Sequence, residues 1–214
     1  MKTVLVYGAT GMIGQGVLRE CLLDPQVEQV VAVTRRPTGV SDPKLVEIVR
    51  ADVTDLSGLP DTIDACFFCL GISSIGMSED DYRAITNDLT LAIATPLAAR
   101  HPSMTFVYVS GAGADGRAMW ARVRSKTEQS VLALPFHGYV VRPAFIQPMH
   151  GEASRTGWVR VALDATRPLQ SLMVRYVPSY ATTTEQMGRA MLGLARHGFP
   201  RRVLESIHIN AVRA

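Results

Sequence analysis

A glycine-rich turn that follows the first apolar segment constrains the fold of this chain more than any other stretch. Residues Thr3–Tyr7 have β-strand character and lead directly into Gly8, Gly11 and Gly14. Residues Gln15–Leu23 then have the apolar periodicity of a helix with one buried face. The N-terminus of such a helix presents free N–H groups and the positive end of the helix dipole to one point. This arrangement predicts a binding site for the pyrophosphate of a dinucleotide.

The three glycines have different expected roles. Gly8 permits the turn, Gly11 allows a pyrophosphate to approach the backbone, and Gly14 allows the helix to pack against the strand. Their spacing, G-x-x-G-x-x-G, differs from the usual G-x-G-x-x-G of dinucleotide-binding folds, so a tight turn without a ligand is the alternative. Further contacts to a bound dinucleotide are expected from Thr10, Met12 and Ile13.

The remainder of the chain alternates apolar strands with helical segments. This order predicts an α/β fold with a doubly wound parallel sheet of the Rossmann type. The pattern loosens towards the C-terminus, where residues 147–182 are expected to form most of a small substrate lobe within a single domain, 1–214. The expected strands lie at 29–34, 45–50, 65–70, 104–109, 138–142 and 203–209, and the expected longer helices lie at 78–100, 118–134 and 185–196.

Two adjacent arginines, Arg35 and Arg36, follow the second strand. NAD-binding units of this type place an acid there to accept the ribose hydroxyl. Arginines attract the 2′-phosphate that an acid would repel, so NADP(H) is the expected cofactor, with a solvated arginine pair as the alternative. After the third strand, Asp52 and Val53 are expected to border the adenine. A role for Asp52 or Asp55 in capping a short turn is equally compatible with the sequence.

Ligands of doubly wound sheets bind beyond the carboxyl ends of the strands. The fourth strand ends at Leu70 and Gly71, the fifth ends at Ser110, and Pro143 and Phe145 follow the sixth. We therefore expect these residues to line the cofactor cleft together with the glycine turn.

Composition argues against several classes of protein. The net charge is only +3, and the basic residues are mostly scattered, so no nucleic-acid partner is expected. No apolar run reaches the ~18 residues of a membrane span, and no signal peptide precedes the first strand. Cys66 and Cys69 have the spacing of a redox pair but lie in an apolar segment, which favours core cysteines. With Cys21, their odd number indicates a reducing compartment, and a cytoplasmic location is expected. No metal site is expected.

These motifs resemble those of the atypical short-chain dehydrogenases/reductases, most clearly over residues 3–146. The likeness extends to the small NAD(P)-binding group that includes Tat-interacting-protein-like reductases and bacterial epimerase-like proteins. The matching segments, besides the glycine turn, are Phe106–Ser110, Lys126–Glu128 and Val141–Pro143.

The resemblance implies NADPH or NADH in the cleft, a catalytic serine, a Tyr-x-x-x-Lys pair on one helix and often a helix asparagine. Ser110 matches the serine, Lys126 matches the lysine that holds the nicotinamide ribose, and Asn87 matches the asparagine. For Asn87 an ordinary polar helix residue is the favoured alternative. The position of the tyrosine holds Arg122, which is not an acid near neutral pH and is expected only to stabilise a developing oxyanion.

Three functions are compatible with these residues. The favoured one is an NADP-dependent oxidoreductase, monomeric or homodimeric, that acts on a small carbonyl substrate oriented by Ser110. Its proton would come from water, from the substrate or from another tyrosine such as Tyr176 or Tyr180. The second is a non-catalytic NADP-binding sensor or interaction protein. An epimerase or dehydratase is less favoured, because such enzymes usually carry a larger substrate lobe.

Overall fold

A parallel sheet of seven strands forms the centre of the protein. The computed structural model describes residues 1–152, 177 and 179–213. Its strands are β1 Thr3–Tyr7, β2 Gln29–Thr34, β3 Leu45–Val49, β4 Ala65–Phe68, β5 Thr105–Val109, β6 His137–Arg142, β7 Phe145–Gln147, β8 Ala181–Thr183 and β9 Val203–Glu205. The central sheet has the order β3-β2-β1-β4-β5-β6-β9, and all of its neighbouring strands are parallel. This order confirms the predicted doubly wound α/β fold.

Helices cover both faces of the sheet. They are α1 Met12–Leu23, α2 Glu79–Arg83, α3 Leu89–Arg100, α4 Met119–Leu132, α5 Thr184–His197 and α6 Ser206–Ala211. Side chains of α1, α5 and α6 pack in the core on one face, and side chains of α3 and α4 pack in the core on the other. The inner strand β1 is buried on both sides, with Val4 and Val6 facing α1 and Leu5 and Tyr7 facing α3. Such burial on both faces explains why the strand sequences are continuous apolar runs.

The long helix expected at 78–100 is interrupted. A π-helical segment, Ala84–Asp88, joins α2 to α3, and Pro96 lies inside α3. Ser78 begins the helix as predicted, since its Oγ accepts a hydrogen bond from the Asp81 amide at 3.1 Å. Single π-helical turns are frequent at functional sites.

The C-terminal expectations need two corrections. The strand predicted at 203–209 ends at Glu205, because the Glu205 and His208 side chains form a reciprocal capping box that begins α6. Helix α5 begins at Thr184, one residue before the helix expected at 185–196. Thr183 caps it, since its Oγ1 accepts a hydrogen bond from the Gln186 amide at 2.9 Å.

Only part of the predicted substrate lobe, 147–182, falls within the described residues. Strands β7 and β8 pair in parallel and form a small second sheet beside the end of β6. Residues 153–176 and 178, which include Tyr176, lie outside the description. Among the residues that are described, no helix has both the length and the apolarity required to cross a membrane.

The three cysteines are free thiols in the core region. Cys21 and Cys66 are buried, and Cys69 is partly buried at the end of β4. Burial raises the pKa of the Cys69 thiol to about 12, which opposes formation of the reactive thiolate. The structure thus favours packing over redox chemistry for this C-x-x-C segment.

Candidate functional site

The glycine turn forms a narrow cradle between β1, α1 and the end of β4. Gly8 has a φ of +79°, a conformation that side-chain-bearing residues rarely adopt. A Cβ atom on Gly14 would lie 2.0 Å from the Gly8 carbonyl oxygen, so only glycine fits between helix and strand. A Cβ on Gly11 would meet nothing closer than that same oxygen at 3.4 Å. The fold therefore requires Gly8 and Gly14, whereas Gly11 has space in the absence of a ligand.

The N-terminus of α1 has the properties of an anion site. Gly11 is its N-cap residue, no side chain caps this end, and the first turn contains no acidic residue. Thr10, Met12 and Ile13 flank the turn and are partly buried. The backbone donors of this first turn have the chemistry that a pyrophosphate requires.

Arg35 and Arg36 lie beside this turn at the carboxyl end of β2. Both side chains are exposed, and neither guanidinium has a carboxylate or hydrogen-bond partner within the described ranges. Strand β2 pairs directly with β1, which brings the arginine pair to the same edge of the sheet as the glycine turn. Two unneutralised guanidinium groups at this point suit a phosphate.

Asp52 takes part in a turn, one of the two alternatives that the sequence left open. Its Oδ1 accepts hydrogen bonds from the Thr54 amide at 2.9 Å and from Thr54 Oγ1 at 2.7 Å. These bonds lower the pKa of the Asp52 carboxyl. The side chain is nevertheless exposed, so the carboxylate remains accessible from solvent, and the neighbouring Val53 is buried.

The other predicted cleft residues lie at the same edge of the sheet. Gly71 is exposed just beyond the end of β4, and Leu70 before it is partly buried. Pro143 is buried after β6, and its carbonyl accepts the amide of Ala112, in the loop after β5, at 3.0 Å. The Phe145 amide donates to the Tyr180 carbonyl at 2.9 Å, which places the exposed Tyr180 beside the cleft.

Ser110 belongs to a buried polar cluster beyond the end of β5. Its hydroxyl donates to Glu128 Oε1 on α4. The Glu128 carboxylate also forms an ion pair with Arg142, in which Arg142 Nη2 lies 2.6 Å from Glu128 Oε2. Arg142 Nη1 lies 3.3 Å from Glu205 Oε1. The hydrogen bonds that Arg142 donates to Glu128 raise the pKa of the Arg142 guanidinium further above its already high value. Because the Ser110 proton is engaged by Glu128, its hydroxyl does not point a free donor into the cleft.

The structure corrects the placement of Arg122 and Lys126. Arg122 is exposed and pairs with Glu79, with Nη2 2.8 Å from Oε2. Lys126 is also exposed. Successive helix residues are rotated by about 100°, so side chains two positions before Glu128 project from the opposite side of α4. The sequence motif was therefore aligned two residues out of register with the face that reaches Ser110.

The face of α4 that does reach the cluster carries Trp120, Arg124 and Glu128 at successive helical turns. Arg124 is partly buried, and its Nε donates to the Tyr82 hydroxyl at 2.8 Å. A Cβ on Gly113, in the loop after β5, would lie 3.4 Å from Trp120 Cη2. Trp120 and Arg124 have the same four-residue spacing as the Tyr-x-x-x-Lys pair that the resemblance implied, but tryptophan stands in place of the tyrosine and arginine in place of the lysine.

Asn87, for which the sequence favoured an ordinary polar helix residue, is buried. It lies in the π-helical segment, and its Oδ1 accepts a hydrogen bond from Thr127 Oγ1 at 3.3 Å. Close by, burial raises the pKa of Tyr108 to about 12, an effect opposed by Arg124 and reinforced by Tyr82 and Glu128. The Asn87 side chain thus joins the π-helical segment to α4.

Four residues at the candidate site were not predicted from the sequence: Tyr82, Arg124, Glu128 and Arg142. A usable signal was present, since Glu128 lies on the apolar side of a helix and Arg142 ends an apolar strand. Buried opposite charges of this kind usually pair. Among the described residues, no group of three or more His, Cys, Asp or Glu is arranged to hold a metal ion.

Comparison with known proteins identifies the family. Residues 4–118 match the model of the NAD dependent epimerase/dehydratase family. The protein FMP52, mitochondrial, of Saccharomyces cerevisiae is 31% identical over 207 residues, which cover 89% of this chain and 86% of that protein. The protein of the same name in Chaetomium globosum is 29% identical over 158 residues, which cover 68% of this chain and 66% of that protein. The mitochondrial names of these relatives contradict the expected cytoplasmic location. That expectation rested on the free cysteines, which indicate a reducing compartment without specifying which one.

Solved structures agree on the fold. A short-chain dehydrogenase/reductase from Saccharomyces cerevisiae superposes with a TM-score of 0.69 at 13% identity and full coverage of both chains. The Bordetella bronchiseptica enzyme WbmF in complex with NAD+ gives 0.66 at 16% identity, over 98% of this chain and 76% of that one. UDP-glucuronic acid 4-epimerase from Bacillus cereus, in complex with NAD, superposes with a TM-score of 0.67 at 16% identity. The match covers 95% of this chain and 76% of that chain. These structures share the fold of this chain, and the match over residues 4–118 establishes that the chain belongs to the NAD-dependent epimerase/dehydratase family.

Proposed function

We propose that this protein is an NADP(H)-dependent oxidoreductase that reduces a small carbonyl compound. The observation that carries the proposal is the uncapped N-terminus of α1 beside the unpaired Arg35 and Arg36. This combination suits a dinucleotide that bears a third phosphate. A bound NADPH would supply the hydride for reduction.

The residues present fit this cofactor. The first turn of α1, with Gly11 open above it, would hold the pyrophosphate, and Arg35 and Arg36 would hold the 2′-phosphate. Asp52 and Val53 would border the adenine. Leu70, Gly71, Pro143 and Phe145 would line the remainder of the cleft towards the nicotinamide.

In this proposal the cation at the nicotinamide end of the cleft is Arg124 rather than Lys126. Its guanidinium lies on the face of α4 that carries Glu128 and would bind a negatively charged group of the substrate. Ser110 holds Glu128 in place through its hydroxyl and would accept, rather than donate, a hydrogen bond in the cleft. The proton that completes the reduction would come from water or from Tyr180.

A non-catalytic NADP(H) sensor is the second candidate. The observation that favours it is Trp120, which occupies the position of an acid/base residue on α4 and has no ionisable group. In that case the cleft would bind the cofactor and report its presence through a partner surface.

One experiment separates the two functions. Calorimetric titration measures binding of NADPH, and cofactor consumption is then followed over a panel of aldehydes, ketones and oxo acids. Turnover that is lost in Arg124→Met but retained in the surface variant Arg122→Met supports the reductase. Tight NADPH binding without consumption of any substrate supports the sensor, and the absence of NADPH binding overturns both proposals.

A further inference from the structure

Arg124 is a partly buried cation without an anion. Its Nε donates to Tyr82 Oη at 2.8 Å, and within the part of the chain that the structure describes no carboxylate lies within 4 Å of it. The nearby acids are engaged by other arginines, Glu79 by Arg122 and Glu128 by Arg142. A guanidinium withdrawn from water in this way gains from a negatively charged ligand.

The guanidinium is also held in a fixed orientation. Tyr82 is only 1% exposed, so its hydroxyl is an anchor on α2 that does not move freely. This bond occupies Nε and leaves the two terminal nitrogens for a ligand. A planar pair of N–H donors in fixed orientation suits the two oxygens of a carboxylate.

The free end of Arg124 faces an open part of the cleft. A Cβ on Gly71 would lie 3.9 Å from Arg124 Nη2, and no other described atom beyond the chain neighbours of Gly71 lies within 4 Å of that position. The absence of a side chain at Gly71 leaves room for a ligand at the guanidinium. Two exposed apolar side chains, Ile72 and Ile75, follow in the same loop.

From these contacts we infer that Arg124 binds the carboxylate of the substrate, so that the compound reduced at this site is an oxo acid. The assignment as a reduced substrate rests on the proposed reductase function, whereas the carboxylate site itself does not. A carboxylate fits better than a phosphate monoester, because one unpaired cation matches one charge and a phosphate carries about −1.5 to −2 at neutral pH. Tyr82 acts as a positioning residue that fixes the guanidinium.

Binding is tested first, because it does not depend on turnover. Straight-chain 2-oxo acids of increasing length and their methyl esters are titrated by calorimetry into the NADP+ complex of the wild type. The acids are expected to bind roughly 10- to 100-fold more tightly than the esters, the usual effect of one charge-assisted pair. Arg124→Met removes this difference, Arg124→Lys retains part of it, and the matched surface variant Arg122→Met leaves it unchanged.

Turnover then tests the assignment as substrate. The ratio of kcat/KM for each acid to that for its ester falls roughly 10- to 100-fold in Arg124→Met. Tyr82→Phe raises KM for the acids more than it lowers kcat and leaves the esters unaffected, a split that a merely structural role would not produce. If no compound is turned over but the acids still bind through Arg124, the reductase function fails and the carboxylate site stands.

Several outcomes overturn the carboxylate site. Equal binding of acids and esters does so, as does an equal effect of Arg122→Met and Arg124→Met. Dihydroxyacetone phosphate binding more tightly than any oxo acid would assign a phosphate instead. A loss of NADPH affinity in Arg124→Met with an unchanged acid-to-ester ratio would assign Arg124 to the cofactor.

Discussion

Arg142, at the end of β6, and Glu128, on α4, form the most deeply buried ion pair described at the candidate site, with 2.6 Å between Nη2 and Oε2. Their side chains are 13% and 4% exposed. The pair joins a strand to the helix that covers it, and the Ser110 hydroxyl bonds to the same carboxylate. Burial makes Glu128 depend on Arg142, since the Glu128 carboxylate alone would remain without water or a counter-ion.

Removal of one partner should therefore destabilise the fold. Arg142→Met is expected to lower the free energy of unfolding by about 3–5 kcal/mol, because it leaves Glu128 buried and unpaired. Arg122→Met removes the exposed pair with Glu79 and should cost at most about 1 kcal/mol. Urea unfolding of both variants measures the difference, and equal effects would contradict the buried pair.

The glycine turn allows fold and ligand effects to be separated. Gly11→Val should fold with a stability within about 1 kcal/mol of the wild type, since its Cβ meets only one atom at 3.4 Å. It should nevertheless lose the stabilisation by NADPH, about 2.7 kcal/mol at one hundred times the dissociation constant in the wild type. Thermal unfolding with and without NADPH is the measurement, and an undiminished shift in the variant would place the pyrophosphate elsewhere.

Gly14→Ala, unlike Gly11→Val, should destabilise the fold itself. Its Cβ would lie 2.0 Å from the Gly8 carbonyl oxygen, so helix and strand must separate. A destabilisation of at least about 3 kcal/mol is expected even without cofactor. Urea unfolding of the unliganded variant provides the measurement, and unchanged stability would show that α1 is packed differently against β1.

The arginine pair predicts cofactor preference. NADPH should bind about thirtyfold more tightly than NADH, or ~2 kcal/mol, through charge-assisted bonds to the 2′-phosphate. The double variant Arg35→Ala with Arg36→Ala should abolish the preference for NADPH without weakening the binding of NADH. The exposed Arg201 provides a control, Arg201→Ala. Calorimetric titration of both cofactors decides the point, and a preference that survives the double variant would contradict it.

Asp24 predicts a pH dependence of stability. Its Oδ1 lies 2.5 Å from Arg196 Nη2, a link between the end of α1 and α5. Burial by itself raises the pKa of the Asp24 carboxyl, but the hydrogen bonds from Arg196 and the Gln26 amide outweigh this and lower it. A carboxyl with a lowered pKa in the folded state stabilises the fold above the unfolded value of about 3.9, and this contribution is lost as pH falls through the folded pKa.

The stability of the wild type should therefore exceed that of Asp24→Asn at pH 7, and the difference should shrink as the solution is acidified below about pH 4. Asp61→Asn is the control, because the Asp61 side chain is fully exposed in its pair with Arg100. Its difference from the wild type should stay near zero throughout. Urea unfolding at successive pH values measures both curves, and a constant difference for Asp24→Asn would contradict the lowered pKa.

The amino-acid sequence determined the parts of this protein that depend on local pattern. Apolar runs, each followed by a glycine or polar turn, specified the parallel strands, and the spacing of Gly8, Gly11 and Gly14 specified the turn that receives α1. The position of Arg35 and Arg36 after β2 also followed from the sequence alone, because strand ends of a doubly wound sheet meet at one edge.

Only the tertiary structure decided which face of α4 enters the site. Arginine or lysine stands at positions 122, 124 and 126, so the local pattern left several registers open for a four-residue motif. Contacts with distant residues select one of them, since Glu128 meets Ser110 and Arg142, and Arg124 meets Tyr82. These partners lie 14 to 42 residues apart in the chain. Such pairings arise from the packing of strands and helices, and no periodicity within a single segment encodes them.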